Sequence, residues 1–389
     1  MDVLVSGGGI AGCAVAIALR RHGIPVRVVE AHPRPDKEVG GFLGLAVNAL
    51  RALDVIGVRE AVTRKGFEVA TQRMWNGTGK SLGVVARGRR RADPTRSITL
   101  RRHDLVAALR RAAVDAGAEF TTGTAVTGID QRTDGVGVTL ADGTRLTGDV
   151  LIGADGVHSV TRSVIAPESV AHYTGMYSLS GVSDGHYGQP GSFNMVMGRR
   201  ATFLHLPVPD GTTWWGVQVA DPRQPDRDDD PSGRRDGLAE LFADDPVVLP
   251  VLSAARRLLH PPAAHWGLAG LPPAADGRIA LIGDAAHPVG SGQGAAMAIE
   301  DAVVLADRLA RGHGDVVAAP ADYARTRRPR IEKVMATAEN NSDLKSPGPV
   351  KRRLRDLMMP IAMPVVFERA TGWLYDHDIS QEISTMADQ

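Results

Sequence analysis

Apolar and polar positions follow three different periods along this chain. Val3 to Val5 form an unbroken apolar run, the pattern of a strand buried on both faces. Beyond a turn of three consecutive glycines, Ala14 to Leu19 read as a buried helix, with Gly23 suited to its C-terminal end. A second apolar strand, Val26 to Val29, stops at Glu30. The same signature returns twice, as VLIGA before Asp155 and IALIG before Asp284. Strands alternating with helices predict an α/β fold around a largely parallel, Rossmann-like sheet.

Between these segments the period changes. RHDLVAALRRAAVDAG (Arg102 to Gly117) carries its apolar residues at helical spacing, which predicts an amphipathic helix. AVTGID, VGVTLAD and TRLTGDVLIGAD, separated by Asp-Gly turns, read as a β-meander leading into the strand before Asp155. From about 168 to 273, YSLSGV, SFNMVMG, ATFLHLPV and TTWWGVQVA predict an antiparallel second sheet. Helices are expected at 293–312, 319–343 and about 350–375. The polar stretches 221–237 and 339–349 read as breaks.

Composition narrows the function classes. The chain has 389 residues, 43% hydrophobic and 23% charged, with a net charge of +1, which gives no general case for nucleic-acid or membrane binding. The basic runs Arg87 to Arg91 and Lys351 to Arg355 read as solvated faces. One cysteine, Cys13, rules out a disulfide framework and sits where a small buried residue belongs. No secretory leader pattern and no apolar run of the roughly 18 residues that a membrane span needs are present, so a cytoplasmic protein is expected. No His/Cys metal-ligand spacing and no G-x-S-x-G elbow occur, so no metal is expected.

The glycine-rich turn is where chemistry enters. Gly7, Gly9 and Gly12 fit G-x-G-x-x-G between a strand and a helix: one glycine for the tight turn, one for close approach to a pyrophosphate, one for helix–strand packing. The helix N-terminus that follows, with Ile10 and Ala11 in its first turn, presents unpaired N–H groups and a partial positive charge to a diphosphate. Glu30, at the tip of the second strand, is placed to accept bonds from ribose hydroxyls. An acid there disfavours a 2′-phosphate, so the bound nucleotide is expected to be FAD or NAD rather than NADP.

Three separated motifs, GGGIAG, IGADGVHS and IGDAAHP, occur in the order and spacing of the flavin-dependent aromatic hydroxylases of the para-hydroxybenzoate hydroxylase type, and the chain resembles that family from Val3 to about Arg330. The resemblance implies tightly but non-covalently bound FAD, with NADPH or NADH as transient reductant. It implies that Asp284 accepts from ribityl hydroxyls and that the N–H groups of Ala295 and Ala296, behind Gly294, hold the flavin N1–C2=O edge. It implies that Asp155-Gly156 serves FAD and the passing nicotinamide, that Arg102 lies near the flavin (Arg101 being the register alternative), and that Val126 touches the cofactor. Arg162 either pairs with Asp155 or reaches a pyrophosphate. His287 reads as a structural member of its turn. The family's proline–glycine loop after His287 is shorter here, Val47 stands where relatives carry proline, and Ala31 where they often carry arginine.

The implied organisation is an FAD-binding domain of residues 1–167 and 274–345, with a helical excursion near 42–100, a substrate-binding sheet domain of 168–273, and a C-terminal helical segment of 346–389. The implied activity is a monooxygenase that transfers one oxygen atom of O2, through a flavin C4a-hydroperoxide, to an aromatic or polycyclic small molecule, as in antibiotic modification. Competing readings are a flavin halogenase or isoprenoid reductase, and a non-catalytic FAD-binding protein. Tyr177, Met195, Met197, Phe203, His205, Trp214 and Trp215 are candidates to line the substrate pocket, with Val289 and Gly290 on the loop opposite. Strand alternation allows only about half of the sheet residues to face inward, and at most one of the two tryptophans. A monomer or homodimer is expected.

Overall fold

The apolar strands of the nucleotide pattern pair side by side. In the computed structural model, which describes residues 1–34, 41–226, 237–289, 292–312, 314–342 and 349–384, Val3–Ser6 lies at the centre of a six-stranded sheet. Val26–Glu30 and Glu119–Thr122 continue it on one side, Val150–Gly153 and Ile279–Leu281 on the other, all parallel. Ala275–Asp276 closes that edge antiparallel. Parallel register aligns the C-terminal ends of Val3–Ser6, Val150–Gly153 and Ile279–Leu281, so the three motif turns emerge along one edge, the place where open α/β sheets bind ligands.

Helix Ile10–Arg21 and helix Gly294–Arg311 pack together over this sheet. The facing surfaces are alanine-rich: Ala11, Ala14, Ala18, Ala298 and Ala302 belong to one buried cluster, and small side chains let the two backbones approach closely. Helix Arg102–Asp115 lies against the first of these helices. The meander forms as expected from Val126–Gln131, Val136–Leu140 and Arg145–Gly148.

The second sheet has seven strands. Its spatial order is Ala255–Leu268, Ala171–Asp184, Thr212–Ala220, Ala201–Pro207, Ser192–Met197, Thr71–Asn76 and Ser81–Ala86. Three of these strands differ from the sequence reading. Ala255–Leu268 is absent from the sequence reading; it forms the edge strand, and Pro261-Pro262 fall where the register shifts between the pairs of Ala263 and Leu259, outside the paired positions. The excursion near 42–100 is helical only at Val47–Val55 and Arg59–Thr63. Its residues Thr71–Asn76 and Ser81–Ala86 form a hairpin that joins the second sheet by a parallel pairing with Ser192–Met197. That pairing spans more than a hundred residues of chain and leaves no local signal.

A three-stranded sheet, Phe42–Leu45, Ile98–Arg101 and Phe67–Glu68, stands between the two larger ones. Three helices finish the described chain: Ala318–Ser342, Pro349–Asp376 and Ile379–Ser384. Met359, Met363 and Phe367 of the second of these cover the hairpin at Met74, Leu82 and Val85. No helix among the described residues is long and apolar enough to cross a membrane.

Candidate functional site

The glycines of the first turn are required by contact. Gly7 has φ of 100°, and a Cβ there would lie 2.4 Å from the Ala154 carbonyl oxygen; a Cβ on Gly12 would lie 1.8 Å from the Gly7 oxygen. Both obstacles are backbone, which cannot rotate away. A Cβ on Gly9 would meet nothing within 4 Å, so that side of the turn is open. The helix begins at Ile10 without a side-chain cap, leaving its first N–H groups for a ligand. Glu30 is fixed at the same place. Its Oε2 accepts from the Gly8 N–H at 2.6 Å and its Oε1 from the His32 N–H at 2.7 Å.

Asp284 reaches this turn through a second close approach. Gly283, at φ 58°, is wedged between Ala11 and Ala298, whose Cβ atoms would lie 3.1 and 3.2 Å from an added Cβ. The chain then presents Asp284 beside Gly294, the uncapped start of helix Gly294–Arg311. The Asp284 carboxylate is solvent-accessible and has no hydrogen-bond partner among the described residues, yet it lies deep in the protein. Depth and accessibility together mean that it lines a cleft. Burial pushes its carboxyl up, against the opposing pull of His287 and Arg102. The Arg101 guanidinium lies 5.2 Å from the Trp214 ring centre.

Behind the cleft is a buried ion network. Asp301 accepts from the Gly283 N–H at 3.0 Å and from His287 Nε2 at 2.5 Å with one oxygen, and from Arg327 Nε at 2.9 Å with the other. Burial alone would discharge His287, but Asp301 overcomes it and holds the imidazolium. His287 is therefore a strut of the turn. Glu300 takes Arg327 at 2.8 Å, both donors of Arg330 at 2.7 and 2.8 Å, and Asn48 Nδ2 at 2.8 Å. Burial opposes its charge, and the two arginines outweigh burial and hold it down to about 2. The same Asn48 amide reaches Gln293 at 3.3 Å, tying the Val47–Val55 helix to the start of the Gly294 helix.

The Asp155 turn meets the first turn at Gly7. Its carboxylate is used locally, accepting from Ser159 Oγ at 2.5 Å and from the Thr161 N–H and hydroxyl at 3.0 Å. Arg162 feels the Asp155 charge, which opposes the effect of burial on it, but its hydrogen bonds go elsewhere. Its guanidinium donates to three carbonyls, Ser169 at 2.9 Å, Ala285 at 3.0 Å and Val157 at 2.6 Å, clamping the Asp155 turn to the Asp284 turn. The Val126 side chain is buried with Leu4, Val29 and Leu140. Only its backbone is left to meet a cofactor, close to the Gly123 and Thr124 N–H groups that bond the Glu30 carbonyl. Cys13 donates to the Gly8 carbonyl at 3.2 Å, and burial raises its thiol to about 12.

The period of two divides the substrate-pocket candidates. In register, Trp214 stands opposite Leu206, and Met195 opposite Leu204 and Met74. These residues form the face toward the nucleotide sheet, where Trp214 stacks on Phe42 at 5.9 Å and meets Phe67 edge-on at 5.6 Å. The Trp214 Nε1–H is buried without a partner. Met197 shares this face. Tyr177, Phe203, His205 and Trp215 stand on the opposite face and are corrected to core: Phe203 and Trp215 are fully buried with Phe242 and Val251, and Tyr177 packs on the same cluster. Trp215 donates to Ser183 Oγ at 2.9 Å. His205 Nδ1 pairs with the Tyr187 carbonyl at 3.2 Å, and burial lowers it to about 4. Val289 is half-buried against Met297 and Tyr375 beside the cleft; Gly290 lies outside the described residues.

One residue was misjudged in the other direction. Arg87, read as part of a solvated basic run, points inward, while Arg89 and Arg90 are tied to local carbonyls and to Asp376. Nothing in RGRRR marks its first arginine as different; its position at the end of strand Ser81–Ala86 decides it.

These residues fit FAD: an uncapped helix start with a glycine approach for the diphosphate, a fixed acid for the ribose, an unpartnered carboxylate in the cleft for the ribityl chain, and a second uncapped helix start for the ring edge. Comparison with known proteins agrees. The family described as FAD binding domain matches residues 1–186. The aurachin C monooxygenase/isomerase of Stigmatella aurantiaca is 32% identical over 86% of each chain. The 3-hydroxybenzoate 6-hydroxylase of Klebsiella oxytoca is 31% identical over 96% of each chain. A salicylate hydroxylase substrate complex shares the fold at TM-score 0.80 and 22% identity, covering 98% of this chain and 97% of its own. The chain belongs to the FAD-dependent aromatic hydroxylases, a family of monooxygenases.

Proposed function

We propose that this enzyme uses NADH or NADPH and O2 to place one oxygen atom on an aromatic or polycyclic small molecule. One observation carries the reading: Phe42, whose strand pairs with Ile98–Arg101 and so leads into the helix Arg102–Asp115 packed on the nucleotide-turn helix, stacks on Trp214 of the second sheet at 5.9 Å. The aromatic face and the cofactor cleft are thus two walls of one space. Bound FAD, once reduced, supplies the activation of oxygen.

The chain's own residues supply the rest. Asp284, Glu30 and the two helix starts would hold and orient the cofactor, and the uncapped, positive end of the Gly294 helix would stabilise negative charge on a reduced ring bound there. The apolar face of Trp214, Met195 and Leu204, with Phe42 and Phe67, excludes water and offers rings for an aromatic substrate to stack on. A further relative, the 3-amino-4-hydroxybenzoate 2-monooxygenase of Streptomyces platensis, 28% identical over 92% of each chain, is named for oxygenation of a substituted aromatic ring, which supports the same chemistry here.

The test is to load the purified protein with FAD and follow NADH and NADPH oxidation and O2 uptake across a panel of hydroxylated aromatics and quinolines. Substrate-stimulated oxidation with one labelled oxygen in a product supports the proposal. Stimulated oxidation that yields only hydrogen peroxide for every compound, or a halide-dependent product, overturns it.

A further inference from the structure

The helix Pro349–Asp376 has two apolar faces, and the fold uses one of them. Met359, Met363 and Phe367, four residues apart, close over the hairpin at Met74, Leu82 and Val85. Leu354, Leu357, Met358 and Ile361 recur at intervals of three and four and fall on the opposite side of the helix. They stand in solvent: Leu357 is 66% exposed and Ile361 80%. The other exposed large apolar side chains of the described residues, apart from Met1 and Val366 of this same helix, are valines, at most two to an element. Single exposed apolar residues are ordinary on a protein surface, whereas a contiguous ridge of them marks an interaction surface.

Charge decides what covers the ridge. Arg353 and Arg369, both exposed, stand eight residues before and eight residues after Ile361. Exposed Arg91 adds a third cation beside the far end, where its backbone N–H donates to Glu368 at 3.4 Å. The other two acids of the helix are engaged: Asp356 accepts from Arg355 at 2.8 Å and from Asn76 at 2.9 Å, and Asp376 accepts from Arg90. A second copy of this chain is a poor cover. Two ridges packed antiparallel about a two-fold axis at Ile361 bring Arg353 of each copy against Arg369 of the other, and two packed parallel bring each arginine against its own counterpart. Like charges meet in both arrangements. The whole chain carries a net charge of only +1, so the cations that bracket the ridge are a local concentration. An apolar strip between cations is matched by a surface that offers hydrocarbon beneath a layer of anions.

We infer that the outer face of Pro349–Asp376 docks on an anionic bilayer surface, with Leu354, Leu357, Met358 and Ile361 at the headgroup boundary and Arg353 and Arg369 among the phosphates. The helix lies in the plane of the membrane; it is not apolar enough to cross it. Its inner face covers the cluster to which Met195, a member of the Trp214 face, also belongs, so docking holds the second sheet close to ring compounds dissolved in lipid. The docking does not depend on the proposed reaction.

Flotation of the FAD-loaded protein with vesicles tests it. Vesicles of phosphatidylcholine alone are compared with an equal mixture of phosphatidylcholine and phosphatidylglycerol. The protein binds the mixed vesicles about 10-fold more tightly than the neutral ones, and added salt removes that preference. Ile361→Asp and Leu357→Asp, at exposed positions, each leave Tm unchanged and weaken binding to mixed vesicles about 10-fold or more. Arg353→Gln and Arg369→Gln each weaken binding to mixed vesicles about 5-fold and leave binding to neutral ones unchanged. No flotation with either vesicle, equal binding to both, or binding that Ile361→Asp leaves intact overturns the inference. So does an acid variant that melts below the wild type, because the ridge is then part of the fold. Light scattering reads the competing cover: a dimer that Ile361→Asp splits assigns the ridge to a second copy and overturns the docking on lipid.

Discussion

Replacing Asp284 with asparagine separates cofactor binding from stability, and the two effects have opposite signs. The carboxylate makes no hydrogen bond to the described protein, so its removal breaks nothing in the fold. Its pKa in the folded chain lies above the usual 3.8 because burial disfavours the charge. For an acid shifted upward, the folded state holds its proton longer than the unfolded chain does. The associated stability is fully present at pH below 3.8 and is lost as pH rises through the folded pKa. At pH 7 the charged form is therefore a burden on the FAD-free protein, and Asp284→Asn relieves it. In the proposed complex the same carboxylate accepts from hydroxyl donors of the cofactor. A hydrogen bond to a charged acceptor contributes about 1.5–3 kcal/mol, and asparagine keeps one neutral acceptor, so the Kd for FAD rises about 10- to 100-fold. Calorimetric titration of FAD into the stripped protein measures the second effect; a thermal melt of the stripped protein measures the first, with Tm unchanged or higher. A Kd within about 2-fold of wild type, or a stripped protein that melts several degrees lower, refutes the reasoning.

The two neighbouring tryptophans should respond differently. Trp215→Ala empties the far-side core and costs about 3–5 kcal/mol in urea unfolding with little change in substrate KM for the protein that remains folded, whereas Trp214→Ala raises KM. Glu300 is held down to about 2, so its stabilisation is present above its usual 4.5 and drains away as pH falls toward 2; the wild type should lose Tm steeply in that window. Arg327→Met should cost about 3–5 kcal/mol at pH 7 by stranding Glu300 and Asp301, and should lose that sensitivity less steeply, read by urea unfolding across pH. Cys13, raised to about 12, should resist a thiol reagent at pH 8 in the native protein and react fully once unfolded; rapid native labelling counts against the buried position.

Legibility tracked the range of the interactions. The Gly7–Gly12 turn, the Asp155 turn and the Asp284 turn each declare themselves locally, because each couples a buried strand to a backbone shape that side chains would obstruct. The helix Arg102–Asp115 and the strands around Trp214 were readable from period alone. The hairpin of Thr71–Asn76 and Ser81–Ala86 was not, since it pairs with Ser192–Met197, and no residue near position 71 records that partner. The edge strand Ala255–Leu268 was not legible either, since Pro261-Pro262 interrupts its pattern and its pairing resumes only across a register shift.

The sequence by itself determined that three strand tips would hold a dinucleotide, because phosphate approach and tight turns are written in glycine and in the acid that ends a strand. It determined the alternation of the second sheet, but not which side of that sheet faces the cofactor. Tertiary packing decided that. It put Trp214 and Met195 on the cleft and sent Tyr177, Phe203, His205 and Trp215 to the core. It also gave the Arg162 guanidinium three carbonyls as hydrogen-bond partners, and drew Arg87 out of a basic run into the interior. A side chain's face follows from its own strand, whereas what it meets there is set by elements far away in the chain, and a local pattern carries no record of them.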